Sequence, residues 1–398
     1  MSETGLAGTF ALNKIEPIHR WYAYIEGYSS KLVEDELNLL SRRTISTIYD
    51  PFAGTGTTLL SASMRGIVPY YSETNPFMNA VTSTKINAVR SVSEDKLKLQ
   101  VLVSFLEKVR LADFTRCKKI DSWDGFEKYF SGKNLPELLY LKSIIEETDD
   151  ETVRRILMLA LSSIIVSGSK MIRRGDLRFA KGNEKKEIDI KSAFIEKLTT
   201  IIDDIIAFGN SVLQPVVPLA DDCRELIEED LIDCVITSPP YLNGTNYIRN
   251  TKLELKLNGY VSSEKDLSTF HSKGIVAGIN NVSKRTTRHH EVDEVASVVN
   301  KLKECAYDKR IPVMVNDYFY DMNNVFIKLR QLMRNKGVFI MDIGDSQFAG
   351  VHVPTHDILT TLCKKHNFVL ETEQVIRSRY SKNGMQLSQR LLRFRLEK

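Results

Sequence analysis

Two short motifs contain the residues whose types and spacing could do chemistry. The first, residues 237–241 (Thr-Ser-Pro-Pro-Tyr), directly follows an apolar run, 233–236, that predicts a buried strand. The Ser238 hydroxyl and the Pro239 carbonyl are both hydrogen-bond acceptors. Because two consecutive prolines fix φ, the carbonyl is oriented in advance and needs little reorganisation. A loop of this kind can hold the N–H groups of a bound amine.

The second motif is a glycine turn. Residues 50–57 (Asp-Pro-Phe-Ala-Gly-Thr-Gly-Thr) lie between a strand-like run, 44–49, and a helix-like run, 58–64. Gly54 and Gly56 let the backbone approach a ligand that a Cβ atom would exclude, and the amides at the helix N-terminus point towards it. The sequence therefore predicts a ligand-binding loop between the first strand and the first core helix.

Together the two motifs resemble those of the DNA amino-methyltransferases, which methylate an exocyclic base nitrogen with S-adenosylmethionine. The Ser-Pro-Pro-Tyr spelling is closest to the N4-cytosine branch, and residues 242–255 look like the loop and helix that follow the motif in these enzymes. The resemblance implies methyl transfer to N4 of a flipped-out cytosine in double-stranded DNA. It also implies a restriction-modification system, with a cognate endonuclease encoded separately. N6-adenine is the alternative target.

The resemblance also implies roles for acidic residues at strand ends. Glu73 ends the second predicted strand and suits the ribose hydroxyls, while Asp222 would accept from the adenine amino group. Asp50 would hold the amine of the methionine moiety, and the aromatic segment around Trp21 and Tyr24 would cover that end. The complete predicted cofactor set is Asp50, Phe52, Gly54, Gly56, Thr57, Glu73, Asp222 and Thr237.

The same resemblance assigns catalysis to Ser238, Pro239, Pro240 and Tyr241. An exocyclic amine is a poor nucleophile because its lone pair is delocalised into the ring. Acceptors placed at its two N–H groups favour a pyramidal nitrogen whose lone pair can attack the sulfonium methyl in line. Tyr241 offers a ring face on which an extruded base can stack. No covalent intermediate is required, and the chain lacks the Pro-Cys dipeptide of C5-cytosine methylation.

Two basic stretches are candidates for DNA contact. The first, with Arg173, Arg174 and Arg178, is predicted to contact the backbone near the flipped base. The second, with Lys284, Arg285 and Arg288, is predicted to recognise the target, because it follows the catalytic loop within an irregular region, 260–312. A solvated charged face is the alternative for either stretch. A third basic run in the C-terminal strands is predicted to be an exposed sheet face, and it comprises Arg377, Arg379, Lys382, Arg390, Arg393 and Arg395.

The elements that must position these motifs alternate between strand and helix. This order predicts an α/β fold with a mostly parallel, Rossmann-like methyltransferase sheet and an antiparallel strand pair at its C-terminal end. Apolar periodicity predicts helix over about 77–115 and 135–172. The predicted organisation is an N-terminal core part at 1–90, a mainly helical insertion at 91–210, the core with the catalytic loop at 211–258, a target-recognition region at 259–315, and a C-terminal core part at 316–398.

Composition limits the class of protein. The 398 residues carry a net charge of +4, which permits nucleic-acid binding without demanding it. Five scattered cysteines without a Cys-x-x-Cys pair predict a reducing cytoplasm and no metal site, and the resemblance implies that the cytoplasm is prokaryotic. We expect no signal peptide and no membrane span. An NAD oxidoreductase is disfavoured because the turn lacks a third glycine, whereas an RNA methyltransferase and a non-catalytic nucleic-acid-binding protein stay open.

Overall fold

The central feature of the fold is a seven-stranded sheet. The structure is a computed structural model that describes residues 7–24, 27–41, 44–118, 122–209, 211–242, 246–271, 273–282, 290–381 and 383–398. The sheet strands are β1 (Thr47–Asp50), β2 (Val68–Ser72), β5 (Val217–Ala220), β6 (Ile232–Thr237), β7 (Met333–Gly344), β10 (Phe368–Tyr380) and β11 (Gln386–Leu396). Two hairpins lie outside it and comprise β3 (Met171–Arg174) with β4 (Asp176–Phe179), and β8 (Ser346–Phe348) with β9 (Val351–Val353).

The strand order confirms the predicted sheet. It is β10-β11-β7-β6-β1-β2-β5, with parallel pairing from β7 through to β5. Strand β11 is antiparallel to both of its neighbours, β7 and β10. After β1 the chain builds outwards through β2 and β5 and then returns to place β6 on the other side of β1. The carboxyl ends of β1 and β6 therefore form the crevice in which open α/β sheets bind ligands.

Helices cover both faces of this sheet and form a separate bundle beside it. The α-helices are α1 (Ser30–Leu39), α2 (Thr57–Met64), α3 (Pro76–Ser83), α4 (Val89–Glu94), α5 (Lys96–Leu111), α6 (Asn134–Glu146), α7 (Glu151–Gly168), α8 (Ile190–Phe208), α9 (Tyr247–Asn250), α10 (Lys252–Leu257), α11 (Leu267–His271), α12 (Ala296–Cys305), α13 (Arg310–Leu332) and α14 (Thr355–Lys365). A π-helical segment, Thr84–Ala88, joins α3 to α4. Within the described ranges, none of the helices is long and apolar enough to cross a membrane.

Both long helical stretches predicted from periodicity are divided by capping residues. Asp95 has an extended backbone and accepts a hydrogen bond from the Leu97 amide at 3.0 Å, which ends α4 and starts α5. Asp150 caps α7 in the same way, by accepting from the Val153 amide at 2.8 Å. Aspartate competes with the helical backbone through its own side chain, so it starts a new helix where apolar spacing alone indicates continuity.

Alternating residues of the central strands face two apolar layers. Ile48 and Ile236 pack towards α1, together with Val33. Their neighbours Tyr49 and Val235 pack on the opposite face, in the cluster that contains α13 and α14. Because successive side chains of a strand point to opposite faces, both sides of β1 and β6 are covered. The strands that carry the two motifs are therefore held rigidly in the middle of the molecule.

A buried carboxylate joins the N-terminal segment to helix α8. Asp204 accepts hydrogen bonds from the Ile18 amide at 2.9 Å and from the Trp21 indole at 2.9 Å. It also pairs with the Arg20 guanidinium, at 2.5 Å. A single side chain thus satisfies three donors from a short segment with little regular structure of its own.

Asp204→Ala should lower the free energy of unfolding by about 3 kcal/mol, because it leaves buried donors and a charge without their acceptor. The measurement is urea unfolding followed by circular dichroism. The matched control is Asp203→Ala, since Asp203 is the exposed neighbour on the same helix. An equal loss of stability in both variants would contradict this role for Asp204.

Candidate active site at the carboxyl edge of the sheet

One cavity lies at the carboxyl ends of β1, β2 and β6. Its wall contains most of the predicted cofactor and catalytic residues, namely Asp50, Phe52, Gly54, Thr57, Glu73, Asp222, Ser238, Pro239 and Pro240. The structure thus brings the glycine turn and the Ser-Pro-Pro loop together around one space. Gly56, Thr237 and Tyr241 lie behind this wall and contribute through their contacts.

The turn between β1 and α2 requires glycine at two positions. Gly54 and Gly56 have φ angles of 53° and 77°, in the left-handed region that other residues rarely adopt. A Cβ atom at Gly56 would also lie 3.0 Å from the side chain of Thr82. The glycines therefore set the path of the turn, and α2 begins directly after it, at Thr57.

Glu73 fastens the glycine turn to the end of β2. One of its carboxylate oxygens accepts from the Gly54 amide and the other from the Asn75 amide, each at 2.8 Å. Burial raises the pKa of Glu73 to about 7. A carboxylate oxygen can accept more than one hydrogen bond, so both oxygens retain capacity for a donor in the cavity.

Asp50 connects the two motifs. Its Oδ1 atom accepts from the Thr237 hydroxyl at 2.7 Å and from the Phe52 amide at 3.0 Å. Its Oδ2 atom accepts from the Tyr28 hydroxyl at 3.3 Å. Burial raises the pKa of Asp50 to about 6. Thr237 therefore helps to hold Asp50 in position and does not itself line the cavity.

Asp222 lies in the cavity wall within an ion-pair network. Arg224 binds both of its oxygens, with Nη2 at 2.7 Å from Oδ2 and Nε at 3.0 Å from Oδ1. The same guanidinium contacts Asp321 at 2.7 Å and donates to the Lys273 carbonyl at 2.9 Å. Arg224 thereby joins Asp222 to residues 273–275, which form the adjoining wall. Asp222 is held in place, with part of its acceptor capacity already used.

The Tyr241 side chain is held by residues of β7 and β11. Its hydroxyl donates to Asp342 Oδ2 at 3.0 Å and accepts from Gln389 Nε2 at 3.1 Å. The ring lies against Gly344, where a Cβ atom would be 3.2 Å from it. The backbone amide of Tyr241 donates to the Tyr247 hydroxyl at 3.1 Å. These contacts fix the orientation of a ring that remains half-exposed at the edge of the sheet.

Several site residues were not predicted from the sequence. Asp342, whose pKa burial raises to about 7, and Gln389 form the Tyr241 anchor. A carboxylate inside the otherwise apolar run 338–343 is the signal that could have indicated Asp342. Tyr24 lines the cavity, but the expectation for Trp21 is wrong, because its indole is buried against Asp204.

The predicted DNA contacts fall into three groups. The Arg173 side chain is only 12% exposed, and its guanidinium is bound to the Asn250 carbonyl at 2.8 Å and to Glu254 at 2.6 Å, so it is not available to a phosphate. Arg178 forms two hydrogen bonds with Glu184, at 2.8 and 2.9 Å, whereas Arg174 is well exposed and lies 3.9 Å from the same carboxylate. Lys284, Arg285 and Arg288 lie outside the described residues.

The strand order and the cavity at the switch point define a Rossmann-like methyltransferase fold. No family model matches the chain. The chain is similar to the Type II methyltransferase M.AvaI of Nostoc sp., with 25% identity over 406 residues that cover 91% of this chain and 81% of that protein. M.BsoBI of Geobacillus stearothermophilus is 24% identical over 414 residues, covering 90% and 80%.

A third Type II methyltransferase, M.MvaI of Kocuria varians, is 19% identical over 391 residues, covering 90% of this chain and 84% of that protein. These curated relatives support a methyltransferase, a class of enzyme that generally uses S-adenosylmethionine. Among solved structures, the rRNA methyltransferase aviRa from Streptomyces viridochromogenes covers 99% of this chain with 9% identity. The TM-score is 0.33, so the overall structural similarity is low.

Removal of the Glu73 carboxylate should weaken the binding of S-adenosylhomocysteine roughly ten- to hundredfold, or about 1–3 kcal/mol. Glu73→Ala is the variant, isothermal titration calorimetry the measurement, and Glu225→Ala the control, because Glu225 is exposed. In the parent, affinity should also rise as the pH increases through about 7, since the ionised carboxylate is the better acceptor. Unchanged affinity in Glu73→Ala would show that the ribose site lies elsewhere.

The buried carboxyls should make stability fall as the pH rises. The folded-state pKa of Asp342, about 7, is above its ordinary value of 3.8, so between these values the folded state binds more protons than the unfolded state. Its stabilising contribution is complete at low pH and is lost as the pH rises towards and past about 7. Asp342→Asn should therefore lose less thermal stability than the parent between pH 5 and pH 8, measured by scanning calorimetry. Identical pH profiles for the two proteins would contradict this.

Proposed function

We propose that this chain is an S-adenosylmethionine-dependent DNA methyltransferase that modifies N4 of a flipped-out cytosine, as the modification part of a restriction-modification system. The observation that carries the proposal is the single cavity in which the glycine turn meets Ser238, Pro239 and Pro240. The chain is similar to Type II methyltransferases over nine tenths of its length, and this similarity supports the assignment as a methyltransferase. A separately encoded endonuclease would be the partner of such a system.

The residues of the cavity suit this cofactor. When bound, S-adenosylmethionine supplies an electrophilic sulfonium methyl group. Glu73 retains acceptor capacity for ribose hydroxyls, and Asp222, steadied by Arg224, can accept from an adenine amino group. Asp50 can balance the charge of an amine at the catalytic end of the cavity. The left-handed glycines leave the backbone of the turn accessible at close range.

The catalytic loop would hold the target amine. Ser238 follows Thr237 directly, and Thr237 is fixed by its hydrogen bond to Asp50. The Ser238 hydroxyl and the Pro239 carbonyl would accept from the two N–H groups and favour a pyramidal nitrogen with a free lone pair. Because the loop is rigid before the substrate arrives, these acceptors need little reorganisation in the transition state. The anchored Tyr241 ring would stack on the extruded base.

DNA recognition would fall to the parts of the chain outside the sheet. We assign residues 259–315, with Lys284, Arg285 and Arg288, to target recognition. We assign the mainly helical insertion, 91–210, a supporting role in which Arg174 and Arg178 are the residues that can reach a phosphate. We assign the core to 1–90, 211–258 and 316–398.

N6-adenine is the second candidate target, because the same acceptors could hold the adenine amine. Ser238 favours cytosine, since adenine-specific members of the resembled family mostly carry Asp or Asn at this position. RNA methylation and nucleic-acid binding without catalysis are weaker candidates. The complete cavity and loop support an active enzyme over the latter.

Ser238→Ala should retain S-adenosylhomocysteine binding but lower the turnover number by roughly a hundredfold or more, because it removes a contact made in the transition state. Tyr241→Ala should lower turnover through lost stacking, while Tyr241→Phe should keep part of the activity because it retains the ring. Turnover is measured by transfer of labelled methyl to duplex DNA. A Ser238→Ala enzyme with full turnover would remove this residue from the catalytic set.

The product should be N4-methylcytosine. Mass spectrometry of nucleosides, after incubation of the enzyme with labelled cofactor and mixed-sequence duplex DNA, identifies the modified base. Label in N6-methyladenine alone would overturn the cytosine assignment and leave the enzyme class intact. Label in RNA and in no DNA nucleoside would overturn the proposed substrate.

A further inference from the structure

The hairpin formed by β10 and β11 extends beyond the sheet beside the catalytic loop. Strand β11 pairs with β7 from Arg395↔Val338 to Gln389↔Gly344, where β7 ends. Pairing between β10 and β11 continues past this point, to Tyr380↔Gln386. The end of the hairpin, described over 377–381 and 383–388, therefore projects from the carboxyl edge of the sheet. This is the edge at which Ser238 and Tyr241 lie.

The arginines of this hairpin differ in how their charges are balanced. Those on the sheet are paired, since Arg390 contacts Glu373, Arg393 contacts Glu36, and Arg395 contacts Glu371 at 3.3 Å and Glu397 at 2.9 Å. Arg377 and Arg379, on the projecting part, form no ion pair among the residues that the structure describes. The sequence places no acidic residue between Glu373 and Glu397. The projecting part is therefore uniformly basic.

The two unpaired arginines face the catalytic side. Residues paired directly across an antiparallel ladder project to the same face of a sheet. Arg377 is paired with Gln389, and Gln389 with Gly344. Gln389 bonds to the Tyr241 hydroxyl, and the Tyr241 ring lies on Gly344. Tyr241, Gly344, Gln389 and Arg377 thus form a continuous row on one face of the sheet. Arg379, two residues further along β10, extends this row away from the sheet.

We propose that the projecting hairpin binds the phosphate backbone of duplex DNA next to the target nucleotide, through Arg377 and Arg379. The inference rests on the proposed function and adds a contact surface to it. A basic projection whose arginines form no ion pair within the described part of the chain suits phosphates, which arginine binds with two parallel hydrogen bonds. Arg379 is exposed and Arg377 is half-buried. Tyr380, 73% exposed at the end of the strand, adds a hydroxyl that can donate to a phosphate. Part of the run predicted from the sequence to be an exposed sheet face would then belong to the DNA interface.

The test compares two double variants with equal loss of charge. Arg377→Gln/Arg379→Gln removes the unpaired arginines, and Arg390→Gln/Arg395→Gln removes two paired ones of the same hairpin. Binding to a fluorescent duplex of arbitrary sequence is measured by anisotropy over a range of salt concentrations. Each lost phosphate contact lowers the slope of log K against log salt by about 0.9, so the first variant should lose about 2 and the control should keep the parent slope.

The outcomes separate this inference from the proposed function. S-adenosylhomocysteine binding should be unchanged in both variants, which shows that the cofactor site is intact. A parent slope retained by Arg377→Gln/Arg379→Gln, or an equal drop in both variants, overturns the hairpin contact, and methyl transfer to DNA by the parent then still supports the proposed function. A parent that neither binds nor methylates duplex DNA overturns both.

Discussion

The hydrogen bond from the Thr237 hydroxyl to Asp50, 2.7 Å long, joins the ends of β1 and β6. Asp50 also accepts the Phe52 amide, which starts the glycine turn, and Thr237 is followed directly by Ser238. One carboxylate thus fixes the glycine turn relative to the proposed catalytic loop. Transfer between two bound groups depends on their relative placement to a fraction of an ångström. Parallel strands that meet at a switch point supply that placement through their backbones, and this contact secures it.

The buried acids of the molecule are stabilised in two different ways. Asp204 and Asp222 are held by ion pairs with arginines. Asp50, Glu73 and Asp342 are held by hydroxyl, amide and backbone donors, and burial raises the pKa of each. The acids paired with arginine join separate elements of the fold. The acids with raised pKa values lie around the candidate site, and their ionisation lowers the stability of the folded state near neutral pH. Polar groups retained at such a cost are typical of functional sites.

The parts of the site that could be predicted are those that are local in sequence. The glycine turn and the Ser-Pro-Pro-Tyr loop are contiguous, and each is positioned by the strand directly before it. Gln389 could not be found in this way, nor could the contact of Asp342 with Tyr241 and Gln389, because β11 enters the sheet next to β7 only in the fold. The burial of Arg173 depends likewise on Glu254, 81 residues away in the chain. Charge patterns show where arginines occur, but only packing shows which of them are already paired.

This distinction changes the role of the hairpin β3–β4. Arg173 donates to the Asn250 carbonyl, and the Asn250 side chain accepts from the Leu177 amide at 2.7 Å. Both contacts fasten the hairpin to α9, and the contact of Arg173 with Glu254 fastens it to α10. Arg173 therefore orders the site through contacts inside the protein, and its guanidinium is not available to a phosphate. Under the proposed function, contact with DNA phosphates would fall to more exposed cations such as Arg174 and Arg379.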